Sequence, residues 1–191
     1  HQTSMALRLN NLNTSFYFKD DVQALHQYLS TNNQTSKVRA FPGEGLDIPL
    51  WILGSSTDSA YLAAELGLPY AFAAHFAPAM LSSAIQIYRA NFKPSEQLQE
   101  PYVLICANVI PADTNAEAQL LSTSLFNMFA GIITNRRSPL SPPTAEPISA
   151  GIPEIEQAVQ SMISCTFIGD TQNLVSELKD FITEYQPDEI M

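Results

Sequence analysis

A chain of 191 residues with 46% hydrophobic and 15% charged side chains is long enough to close one sizeable core and too apolar to remain disordered. Its 19 acidic residues against 9 basic ones leave a net charge of -10. That balance gives no general attraction to a phosphate backbone or an anionic leaflet, and no uninterrupted apolar run reaches the ~18 residues of a membrane span, so neither nucleic acid nor a membrane is an expected partner and the expected location is the cytoplasm.

Residues 20–30 carry Val22, Leu25 and Leu29 at helical spacing, with acids in the first turn, and predict a short amphipathic helix. The polar stretch that follows has the Asn, Gly and Pro punctuation of a surface loop. It delivers the chain to residues 50–53, an apolar run suited to a strand buried on both faces. Ser55 or Ser56 can cap a helix reaching about Leu66, with Gly67 in the left-handed position that ends it. Residues 70–74 read as the next strand. A helix over 78–91, a strand over 102–110 and a long helix opened by Asp113 or Thr114 repeat the scheme. Residues 136–151 hold four prolines and no apolar period, and predict an excursion loop. A helix over 152–162, an extended piece over 166–168, a helix capped by Asp170 or Thr171 and the start of a strand at 188–191 complete the chain.

Alternating short apolar strands and helices call for parallel βαβ units in a single α/β domain over residues 1–191. Right-handed crossovers then bring every strand's C-terminal end to one side, where barrels and open sheets alike keep their sites. About four strands are visible against the eight of a (β/α)8 barrel, and the chain lacks an initiator methionine at His1 and stops inside a strand-like segment at Met191. The expectation is part of a TIM-type barrel, truncated at both ends.

The candidate chemistry gathers where strands end. At Gly54-Ser55-Ser56 a glycine lets the backbone approach a ligand, and the following amides lie at a helix N-terminus that favours an anion. A plain helix cap explains the same residues. Asp58 opposes an anion, so a basic counter-residue is needed; Arg136 and Arg137 are the best pair available. His75 follows the second strand, where an imidazole suits a proton carrier as well as a histidine satisfied at a strand end. It has no metal-spaced partner, since His1 and His26 are distant, and no metal is expected. Trp51, Phe72 and Phe76 could line an apolar pocket or simply fill the core. Cys106 and Cys165, far apart and in apolar company, read as reduced buried thiols.

The stretch PLWILGSSTDSAYLAAELGLPYAFAAHFAP, joined to YRANFKPS and DEIM, resembles the bacterial-luciferase-like family of flavin-dependent monooxygenases, and within it the alkanal-monooxygenase-like bacterial subgroup. The resemblance implies a (β/α)8 barrel of which this chain holds strands five to seven and the start of strand eight. It implies reduced FMN bound at the strands' C-terminal ends, with Ser55, Ser56 and Ser59 at the positions that contact the flavin phosphate, and electrons passed to O2 with a small organic substrate. Asn108 must find partners if buried inside its apolar strand, and at the barrel interior a flavin edge or another side chain would supply them. NAD(P)H or a partner flavin reductase would supply the electrons, deazaflavin could replace FMN, and a homo-oligomer is expected. Two other readings stand beside this one. One is a non-catalytic flavin-binding or structural half-barrel that self-associates through open strand edges. The other is an unrelated α/β enzyme taking a phosphorylated metabolite at the same serine turn.

Overall fold

A computed structural model describes residues 17–191, which leaves His1 outside the described residues. The chain falls into two compact units, one ending at Leu50 and one spanning Trp51–Met191.

In the first unit, helix α1 (Phe18–Leu29) starts with Asp20 and Asp21 in its first turn. The segment expected to be an open loop is instead wound around Asn33. That side chain is fully buried, and its Nδ2 donates to Val38 O at 3.1 Å and to Glu44 Oε1 at 3.0 Å. Glu44 also accepts from Arg39 Nε at 2.7 and 2.8 Å, and this guanidinium holds its carboxyl below the usual carboxylate range. A single asparagine able to satisfy backbone and side chain together thus organises a polar stretch that has no apolar period.

The second unit is built on a parallel sheet of β1 (Ile52–Gly54), β2 (Tyr70–Ala73), β3 (Val103–Cys106) and β6 (Glu189–Ile190), in that spatial order. Helices α2 (Thr57–Leu66) and α3 (Leu81–Asn91) cover one face. On that face Tyr70 packs 5.3 Å from the ring of Tyr88, and Phe72 lies edge-on to Tyr70 at 6.1 Å. Val103 and Ile105, in register with Tyr70 and Phe72, are fully buried beside them. Ala60, Ala63 and Ala64 of α2 are fully buried and let that helix approach closely. The Tyr88 hydroxyl fastens the strand starts, donating to Leu68 O at 2.9 Å and accepting Tyr102 N–H at 3.1 Å.

The opposite face carries Ala71, Leu104 and Cys106, with Leu53 in register with Ala71. Leu53 is 66% exposed, so the expectation of a first strand buried on both faces fails: its apolar run supplies one covered face only.

The strand expected over 102–110 divides at Ala107. β3 pairs with β2 and β6, whereas β4 (Asn108–Pro111) pairs with β5 (Thr166–Gly169) in a separate two-stranded parallel sheet. Ala107 N–H donates to Met191 O and Asn108 N–H to Cys165 O, so the chain changes neighbours between consecutive residues. An unbroken apolar run carries no sign of such an exchange. Against the small sheet lie α4 (Asn115–Ile133) and α6 (Thr171–Tyr185), and α5 (Pro153–Met162) packs on α4. Phe129, Ala130, Val159 and Ile163 form a core between α4 and the end of α5, and Phe167 packs edge-on to Phe181 at 5.2 Å.

The caps follow the sequence closely. Ser56, Thr114 and Asp170 each accept the amide three residues on, and α2 ends in left-handed Gly67. Residues 136–151 contain neither helix nor strand. Both cysteines are free and buried, and burial pushes the Cys165 thiol up to about 11. Among the described residues, no helix is long and apolar enough to cross a membrane.

Candidate functional site

β1 ends at Gly54, in register with Phe72, at the C-terminal edge of the sheet. Two residues later Ser56 caps α2 through a reciprocal box: its Oγ accepts Ser59 N–H at 3.3 Å, and its own N–H reaches Ser59 Oγ at 3.4 Å. The Ser59 hydroxyl donates to Ser56 O at 2.6 Å. The Tyr70 hydroxyl lies 2.9 Å from Ser59 Oγ and 3.1 Å from Ser56 O, so it donates into this network from beneath the turn. Burial raises the Tyr70 phenol above its ordinary value and keeps that proton in place.

This geometry divides the predicted cradle in two. A Cβ on Gly54 would stand 2.1 Å from Ser59 Oγ and 2.3 Å from Ser59 Cβ, so the glycine is demanded by the chain's own serine. Ser59 is a support, its hydroxyl committed to Ser56 and Tyr70. The groups left for a ligand are the half-buried Ser55 hydroxyl, the Ser56 hydroxyl proton, which the cap does not use, and the amides of Thr57 and Asp58, which the helix ladder cannot satisfy. All stand at the positive end of the α2 dipole. Asp58 is exposed in the same turn.

A second cluster sits beyond β2 and β3. His75 N–H donates to Cys106 O at 2.9 Å, while His75 O accepts from Asn108 Nδ2 at 3.4 Å. The same Nδ2 lies 3.3 Å from Thr166 Oγ1. Asn108 therefore finds its partners within the chain, bracing the ends of β2, β4 and β5 at the point where the sheets part. His75 is half-buried with its backbone held on both sides. Phe72 is fully buried on the helix side, Phe76 is 56% exposed, and Trp51 is 41% exposed and edge-on to Tyr102 at 5.6 Å.

Arg136 and Arg137 follow α4. Arg136 N–H donates to Gly131 O at 2.7 Å, and the residue lines a cavity with Asn127, Ile148 and Ile152 in whose wall none of Gly54, Ser55, Ser56 or Ser59 takes part. Arg137 is exposed. Sequence reasoning missed Tyr70 and Thr166. Alternation does put Tyr70 on the helix-facing side of its strand, but only the packed structure shows which turn its hydroxyl meets.

The turn lies at the C-terminal edge of a parallel sheet, and the family model of the luciferase-like monooxygenases matches residues 19–183. The chain belongs to that family. A luciferase-like monooxygenase of Escherichia coli K12 is 40% identical over 190 residues, which are 100% of this chain and 57% of that protein. The uncharacterized protein YvbT of Bacillus subtilis is 41% identical over 190 residues, 99% of this chain and 56% of its own length. The chain thus spans a little over half the length of the curated relatives it matches. The solved structure of apo-MsnO8 is similar in fold, with a TM-score of 0.75 at 24% identity, covering 100% of this chain and 57% of that one. The fold is accordingly α/β, that of part of a luciferase-like barrel.

Proposed function

We propose that this chain contributes the C-terminal strands and the cofactor-phosphate seat of a luciferase-like oxidoreductase that uses reduced FMN and O2 on a small organic substrate. The observation that carries the reading is the serine turn. Its free donors, namely the hydroxyls of Ser55 and Ser56 and the first-turn amides of α2, stand together in sequence at the strand edge where α/β barrels hold phosphates. The residues fit a terminal phosphate. Donors are in place and the loop is locked by the Ser56–Ser59–Tyr70 network, with the exposed Asp58 as the one charge of the turn set against an anion.

When bound, the reduced flavin supplies the electrons that O2 accepts. The protein's part is to hold and orient. Ser55, Ser56 and the amides of Thr57 and Asp58 grip the phosphate, and Ser59 and Tyr70 keep those donors from reorganising. His75, fixed through its backbone at the end of β2, is the candidate proton carrier, and Asn108 positions it through the bond to His75 O. Electrons arrive from NAD(P)H or from a partner reductase. Residues 136–151 form an excursion between barrel elements.

The test is flavin fluorescence quenching with FMN and riboflavin, repeated on Ser56→Asp. Aspartate caps helices as well as serine does, so this variant keeps the fold while adding a carboxylate at the seat. FMN binding that exceeds riboflavin binding and is lost in Ser56→Asp supports the reading. Equal binding of the two flavins, or an indifferent variant, removes it. Protection by inorganic phosphate with no FMN binding would transfer the seat to a phosphorylated metabolite, and tighter binding of a deazaflavin would change the cofactor.

A further inference from the structure

The chain leaving α4 folds back along that helix and is fastened to it. Thr123 Oγ1 accepts Thr144 N–H at 2.9 Å, Asn127 Nδ2 reaches Thr144 Oγ1 at 3.3 Å, and Asn127 Oδ1 accepts Ile148 N–H at 2.7 Å. Thr123 and Asn127 are one helical turn apart and both buried, so the returning strap is held by side chains on the covered face of α4. A single helical turn further on, Gly131 leaves room where a Cβ would stand 2.9 Å from Arg136 O.

Between the strap, α4 and the start of α5 lies a cavity of about 340 Å³, within the range of small-molecule sites. Ile148, Ile152 and Ile155 supply its apolar wall, and Arg136 is the one charged residue in the lining. Ser149 also lines it, at 3% exposure, and its hydroxyl has no hydrogen-bond partner among the described residues. Arg136 is exposed, and no carboxylate lines the cavity beside it.

We propose that this cavity binds a small amphiphilic carboxylate, with its anion against Arg136 and the Ser149 hydroxyl and its apolar body against Ile148, Ile152 and Ile155. The planar guanidinium fork suits a carboxylate. A lone cation above an otherwise uncharged lining matches a monoanion in charge. The site shares no lining residue with the serine turn and stands independently of the cofactor reading.

The experiment is two-dimensional amide NMR of the whole chain titrated with octanoate, with octanol and octylamine as matched probes. Saturable shifts at the amides of Gly131, Ser149 and Ile152 with octanoate, weakened at least tenfold in Arg136→Gln while octanol binding is unchanged, support the site. Ile148 is exposed at the rim, and Ile148→Glu should weaken octanoate to a similar degree by setting a carboxylate against it. Absence of saturable shifts at those amides, octylamine binding as tightly as octanoate, or an unaltered octanoate affinity in Arg136→Gln would each overturn it.

Discussion

Replacing Gly54 with alanine separates the two reasons a glycine can end a strand beside a helix start. A methyl there would lie 2.1 Å from Ser59 Oγ and 2.3 Å from Ser59 Cβ. The hydroxyl could rotate aside, but the Cβ is carried on the first turn of α2, so either the helix start shifts or the cap opens. Overpacking of this kind costs about 1–3 kcal/mol, and an opened serine cap adds about 1 kcal/mol, for a total loss of roughly 2–4 kcal/mol. Urea unfolding followed by circular dichroism should show that loss as a lower midpoint with an unchanged slope. The decisive comparison repeats Gly54→Ala in a Ser59→Gly background, where the obstructing atoms are absent. There the penalty should fall below about 1 kcal/mol, giving a coupling energy between the sites of about 1 kcal/mol or more. An equal penalty in both backgrounds would refute the assignment of the glycine to Ser59.

Tyr88→Phe strands Leu68 O and Tyr102 N–H without their buried partner and should cost about 2 kcal/mol in the same assay. Glu44, held below the ordinary carboxylate range by Arg39, contributes stability that is present at neutral pH and is lost as pH falls through its lowered value. Glu44→Gln should flatten the acid limb of the stability–pH curve, and a curve unchanged on that limb would contradict the role. Burial pushes the Cys165 thiol up to about 11, so native protein at pH 8 should react with a thiol reagent far more slowly at Cys165 than the urea-unfolded chain does. Folded stability linked to that thiol is present below its unfolded value near ~8.5 and declines as pH rises towards about 11.

Much of the architecture is written in local signals. Ser56, Thr114 and Asp170 cap the helices they precede because a short side-chain oxygen satisfies an otherwise idle amide, and left-handed Gly67 ends α2. These are decisions made within four residues. The exchange of neighbours at Ala107 is of another kind, since nothing in an apolar run states which strand will lie alongside it. The same limit hid the exposed face of Leu53 and the folded turn around Asn33, whose partners Val38 and Glu44 are five and eleven residues away.

The candidate site was legible as a serine turn, while the division of labour within it was not. Ser55, Ser56 and Ser59 are chemically alike, and only the position of Tyr70 distinguishes the serine that supports from those left open. Asn108 announced a need for partners, and Thr166, which meets it, lies across a strand pairing that no local pattern records. Arg136 was visible as a cation at a loop edge, and the fold sets it in the wall of a separate cavity.

A phosphate seat at the start of α2 is put to the test by the ratio of riboflavin to FMN dissociation constants on this chain and on Ser56→Asp. FMN should bind at least tenfold more tightly than riboflavin in the parent protein, and that preference should vanish in the variant with the fold retained by circular dichroism. A ratio near one in the parent, or a preference that survives the added carboxylate, would contradict it.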